Sequence, residues 1–166
     1  MALREIRLYG DPVLLTVADQ ATSFGGATRV LARDLLDTVA EPGRAGLAAP
    51  QIGVPLRAFA YNVDDRVGVV FNPVIVAREG EQDGEEGCLS VPELWFPTRR
   101  PAYVAVEGYD ADGSPVRVDG DELMARCLEH EVDHLDGVVY LRRLEGGTRR
   151  AAMRAVRDSP WFNSGR

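Results

Sequence analysis

The sequence predicts an α+β protein: small antiparallel sheets set around a central helix that carries both histidines, with a further helix toward the C-terminus. Three observations lead there. Short β-branched and aromatic runs, bounded by Asp, Gly and Pro, fill the middle of the chain. Helical periodicity is confined to three stretches. The two kinds of element do not alternate as a doubly wound sheet requires. At 166 residues and 45% hydrophobic, the chain reads as one globular domain, residues 1–166, with enough core to fold alone.

In chain order, residues 28–39 read as an amphipathic helix with Val30, Leu31, Leu35 and Val39 on its apolar side, ended by Pro42 and Gly43. Residues 56–63 and 67–71 are strands on either side of an Asp64-Asp65 turn, and 74–77 is a separate strand. Residues 79–86, rich in Glu, Asp and Gly, form an acidic surface loop. Strands at 94–96, 103–109 and 116–118 follow, with a turn at 110–113. The helix bearing the histidines comes next: Asp119 or Asp121 caps it, Leu123, Cys127 and Leu128 give it a buried side, and Gly137 stops it. Residues 148–157 form the last helix.

The chemistry concentrates in His130-Glu131-Val132-Asp133-His134, which holds every histidine of the chain. Imidazoles four residues apart lie on one helix face, roughly 6 Å apart along the axis, and can close on one metal ion. Glu131 is placed to handle protons on the attacking water. A catalytic site of this type needs a third protein ligand, and no histidine remains to supply it. A third histidine at the spacing of a familiar extended motif is ruled out by Tyr140. Glu145, beside Gly146 and Gly147, reads as part of a turn. Cys127 shares the helix but stands seven positions from His134, about 10 Å of rise, too far to join both histidines on one ion. Cys88, in a glycine-flanked segment remote in sequence, can approach from the opposite side and is the expected third ligand.

Composition excludes several classes. No apolar run is long enough for a membrane span, and Met1 to Arg7 lacks the apolar core of a signal peptide. Two cysteines, one claimed by a metal, leave no disulfide framework and suit the cytoplasm. A net charge of −7 argues against DNA or broad nucleic-acid binding. The charge is uneven, however. Arg142, Arg143, Arg149, Arg150, Arg154 and Arg157 crowd the last quarter, either as the solvated face of a terminal helix or as a surface that docks on ribosomal RNA.

Three motifs in order, Gly46-Leu47-Ala48-Ala49-Pro50-Gln51-Ile52-Gly53, Glu86-Gly87-Cys88-Leu89-Ser90 and His130-Glu131-Val132-Asp133-His134, resemble those of the bacterial peptide deformylases, and the likeness extends over essentially the whole chain. The resemblance implies the fold already described and removal of the N-formyl group from the methionine of nascent formylmethionyl polypeptides, releasing formate. It implies Cys88, His130 and His134 as metal ligands and Glu131 as the proton carrier. The Gln51 side-chain amide and the Leu89 N–H would serve as oxyanion donors. Gly46 would let the backbone approach substrate closely, and Leu89, Cys127 and Leu128 would line the methionine pocket. Glu86 either orients a ligand histidine or forms an ordinary ion pair. Fe²⁺ is the implied metal, with Zn²⁺ or Ni²⁺ as substitutes. One position departs from the usual Gly-x-Gly-Leu-Ala-Ala: its first glycine is Arg44 here, which bears on loop conformation and substrate preference.

Overall fold

A computed structural model describes residues 3–164; Met1 and Ala2, read above as part of the N-terminal segment, lie outside the described residues. Helix α1 (Gly26–Val39) precedes seven strands: β1 (Gly46–Ala48), β2 (Ala58–Val63), β3 (Arg66–Glu79), β4 (Glu85–Cys88), β5 (Val91–Pro97), β6 (Tyr103–Tyr109) and β7 (Pro115–Asp121). Helix α2 (Glu122–Leu135) carries the histidines, and α3 (Gly146–Asp158) and the short α4 (Pro160–Asn163) follow. Single 3-10 turns at Pro12–Leu15, Ala49–Ile52 and Tyr140–Arg143 are not signalled by the sequence pattern.

The strands form an antiparallel five-stranded sheet in the order β1-β2-β3-β6-β7 and a separate β4-β5 hairpin. Asp64 and Asp65 link β2 to β3 with φ of 49° and 65°, the positive values a two-residue hairpin turn requires. Residues 67–71 and 74–77, expected as two strands, are one continuous strand, β3. Asn72-Pro73 looks like a turn, yet it is a bulge. Asn72, at φ 50°, replaces the lost ladder bonds by accepting from Ala21 N at 2.8 Å and donating to Ala21 O at 2.9 Å. The acidic segment 79–86 is also only partly loop, since Glu85 and Glu86 begin β4.

Helix α2 packs across the sheet. Met124, Ala125, Leu128, Val132 and Leu135 join Phe59, Val70, Val104 and Val106 in the main core. A second cluster seats α1 on β1 and β2 through Leu31, Leu35 and Val39. Val30, expected with them, is 61% exposed. Neither aspartate expected to cap α2 does so with its side chain: Asp121 occupies the N-cap without a side-chain bond, and Asp119 accepts from Tyr103 Oη at 2.6 Å. Gly137 ends the helix as expected, at φ 76°. Among the described residues no helix is long and apolar enough to cross a membrane.

Candidate metal centre

The 3.6-residue period divides α2 between two duties. Leu123, Cys127, His130 and Glu131 line a cleft of about 460 Å³, whereas Met124, Leu128 and Leu135 point to the core. Cys88, the last residue of β4, reaches the helix from the hairpin side. Its Sγ lies 3.3 Å from His134 Nε2, and the ligand atoms of Cys88, His130 and His134 all fall within 4.8 Å of one another. Sulfur with two imidazole nitrogens is a donor set suited to zinc or ferrous iron. His130 presents Nε2, because its Nδ1 sits 2.6 Å from Glu86 Oε2. Glu131 Oε1 is buried without a hydrogen-bond partner among the described residues, the signature of a carboxylate waiting for a polar ligand. These residues fit a divalent cation.

Behind the ligands lies a buried charge network. Arg100 grips Glu86 through two bonds of 2.9 and 2.6 Å and reaches Asp133 at 2.8 Å. Arg126 adds a bond to Glu86 at 2.9 Å, and Arg143 holds Asp133 with two more, at 3.0 and 2.7 Å. Burial alone would raise the Glu86 carboxyl; hydrogen bonds from Arg100 and His130 overcome it and hold Glu86 well below the usual carboxylate range. Glu86 is therefore both a buried ion-pair partner and the group that orients the His130 ring. Burial, opposed by too little positive charge, pushes Glu131 up to about 7. Burial and the neighbouring His130 drive His134 well down, toward the neutral form that ligates.

Gln51 is fixed by the 3-10 turn that follows β1. Its Oε1 accepts from Ala48 N at 2.9 Å, which turns Nε2 toward Ser90 Oγ at 3.1 Å and Cys88 Sγ at 3.6 Å. A donor is thus held beside the Cys88 sulfur. Gly46 lies so close to α2 that a Cβ there would meet Glu131 Oε2 at 2.5 Å and Cys127 Sγ at 2.8 Å. Any side chain there would force Glu131 or Cys127 to shift.

Cys88, His130, Glu131, Gln51, Gly46, Leu89 and Cys127 all border the same cleft, and His134 is fully buried within reach of the Cys88 sulfur. Leu128 does not. It is fully buried in the main core, one helical face away, and the exposed Leu123 takes the place expected for it on the cleft wall. The helix phase was legible from the histidines themselves, since Leu123 and Cys127 lie seven and three residues before His130. Arg100 and Trp95 carried no local signal. Arg44 borders the cleft mouth and donates from Nη1 to Thr38 O at 2.7 Å, so the side chain that replaces a glycine ties down a carbonyl at the end of α1.

The sequence model of the family described as Polypeptide deformylase matches residues 3–150. The chain belongs to the polypeptide deformylase family. A "Peptide deformylase" of Acidothermus cellulolyticus is 49% identical over 161 residues, covering 97% of this chain and 89% of that one. A deformylase of Parafrankia sp. is 51% identical over 165 residues, with 98% and 90% covered. Among solved deformylases, that of Legionella pneumophila superposes with a TM-score of 0.89 at 34% identity, covering 99% of each chain. That of Thermus thermophilus gives 0.87 at 44% identity over 93% of each. The family's reaction, metal-dependent hydrolysis of the N-formyl group from the methionine of nascent peptides, is the reaction of this chain.

Proposed function

We propose that deformylation runs at a single cation held by Cys88, His130 and His134, with Glu131 as the proton carrier and Fe²⁺ as the working metal. The observation that carries the reading is the convergence of one sulfur and two imidazoles within 4.8 Å, beside a buried carboxylate oxygen that has no partner among the described residues. When bound, such a cation with an open position polarises the formyl carbonyl and acidifies water. Glu131 takes the proton released as water attacks and returns it to the leaving amine nitrogen. The Gln51 amide, aimed by its bond from Ala48 N, and the Leu89 N–H stabilise the carbonyl oxygen as it gains charge. Gly46 admits the substrate backbone, and Leu123 and Cys127 flank the methionine side chain.

The thiolate and imidazole donor set accommodates zinc and nickel as well as iron, and the family resemblance favours iron as the native ion, with zinc or nickel as substitutes. The chain acts as one catalytic unit, a reading supported by helix α2 serving both core and site. Both cysteines are free, which suits a reducing compartment and supports the cytoplasm, where formylated chains emerge, as its location. Four exposed arginines of α3, Arg149, Arg150, Arg154 and Arg157, support docking on ribosomal RNA. Arg143 leaves that group, because it is committed to Asp133. Ribosome co-sedimentation lost on reversing the four to glutamate is the expected result.

The test of the function offers a formyl-Met peptide and an unblocked internal peptide bond side by side. Protein reconstituted anaerobically with Fe²⁺ should release formate and leave the internal bond intact. Internal cleavage without formate would instead make the site that of a zinc endopeptidase.

A further inference from the structure

Trp95 is 60% exposed although it borders the reaction cleft. Its position is set by β4–β5 pairing: it stands opposite Gly87, the residue just before the ligand Cys88. The indole lies against Gly87 so closely that a Cβ there would meet Nε1 at 2.5 Å and Cδ1 at 2.6 Å. The glycine thus lets a large aromatic lie over the hairpin beside the metal centre, with much of its surface left open to solvent. An exposed indole in a substrate cleft is a binding surface in want of a partner.

The surroundings indicate which partner. Glu85 and Glu93 border the same cleft, are exposed, and have no ion-pair partner among the described residues. The two arginines of the cleft are engaged elsewhere, Arg126 with Glu86 and Thr98 O, and Arg44 with Thr38 O. An electron-rich ring that shares its cleft with two unpaired carboxylates suits a cation, which gains from the ring face and from the acids together. Cross-strand neighbours lie about 5 Å apart and an extended peptide advances about 3.4 Å per residue, so Trp95 is within reach of the side chain that follows the methionine when the formyl group is at Cys88.

We propose that Trp95, with Glu85 and Glu93 beside it, is a specificity-determining residue that favours formylated chains carrying a lysine or arginine directly after the methionine. The inference rests on the deformylase reading of the cleft. Its test compares formyl-Met-Lys-amide with formyl-Met-norleucine-amide, which share a four-carbon side chain and differ in the terminal ammonium. In the wild-type holoenzyme kcat/KM should favour the lysine peptide about fivefold, through KM rather than kcat, and the preference should shrink as salt rises. Trp95→Leu, which keeps an apolar side chain but removes the ring, should bring the ratio close to one, and Trp95→Phe should restore most of it. Glu85→Gln with Glu93→Gln, both at exposed positions, should also lower the ratio and decides the matter if Trp95→Leu fails to fold. A wild-type ratio at or below one, or a ratio unchanged in Trp95→Leu or in the double glutamine variant, overturns the proposal. Formate release from the norleucine peptide reports the deformylase reading separately, so the two can fail independently.

Discussion

Glu86 Oε2 lies 2.6 Å from His130 Nδ1 while Arg100 and Arg126 hold the same carboxylate from behind. His130 is thereby oriented by a group that is itself immobilised, and its orientation depends on charge pairs 3–9% exposed at their side chains. An oriented imidazole is a better ligand than a free one, because no rotamer entropy is lost on binding.

Glu86→Ala should therefore weaken metal retention by about 10- to 100-fold, read by competition with a chelator. It also leaves the buried Arg100 with Asp133 as its one remaining carboxylate, which should cost about 3–5 kcal/mol of stability in a denaturant titration. Unchanged metal retention would mean that His130 is held by packing alone.

Glu131→Ala should lower kcat by about 10²- to 10⁴-fold with the metal content of the protein preserved, since Glu131 is placed to move protons and not to ligate. Steady-state formate release on samples of measured metal content checks this. Metal loss in step with activity would make Glu131 a ligand.

Gly46→Ala should abolish activity although it adds one methyl group. The Cβ would overlap Glu131 Oε2 and Cys127 Sγ, so Glu131 must move out of line. Metal content and the far-ultraviolet circular dichroism should be retained, which separates a displaced carboxylate from a misfolded chain.

The two leucines of α2 should behave in opposite ways. Leu128→Ala removes a fully buried core side chain and should cost about 2–5 kcal/mol of stability. Leu123→Ala, 48% exposed on the cleft wall, should change stability little and raise KM for formyl-Met peptides. Denaturant titrations and kinetics on the two variants give the comparison directly.

How far the sequence could be read follows from the range over which each feature is determined. The pairing of His130 and His134 on one face was legible because four-residue spacing on a helix is a local fact. Cys88 stands out because Tyr140 occupies the place of a third histidine, Glu145 sits beside Gly146 and Gly147, and Cys127 is too far along the helix. The hairpin at Asp64-Asp65 was legible for the same reason: the turn residues stand between two apolar runs. The continuity of β3 through Asn72 was not, since it depends on two bonds to Ala21, fifty-one positions away. Arg100 and Trp95 were equally silent. The first acts only once Glu86 and Asp133 are brought together by folding, and the second only because Gly87 stands across the hairpin from it. Leu128 lies on the buried side expected of it, but that side faces the core and not the cleft; Leu123, expected beside it, is 48% exposed, because it falls on the histidine face seven residues before His130.

The central claim is that one cysteine sulfur, that of Cys88, completes the metal site. X-ray absorption at the metal edge of the reconstituted enzyme addresses it most directly. The expected spectrum shows one sulfur and two imidazole nitrogens among the scatterers, with the sulfur lost in Cys88→Ser and retained in Cys127→Ser. A sulfur that survives Cys88→Ser, or that disappears in Cys127→Ser, would contradict the assignment.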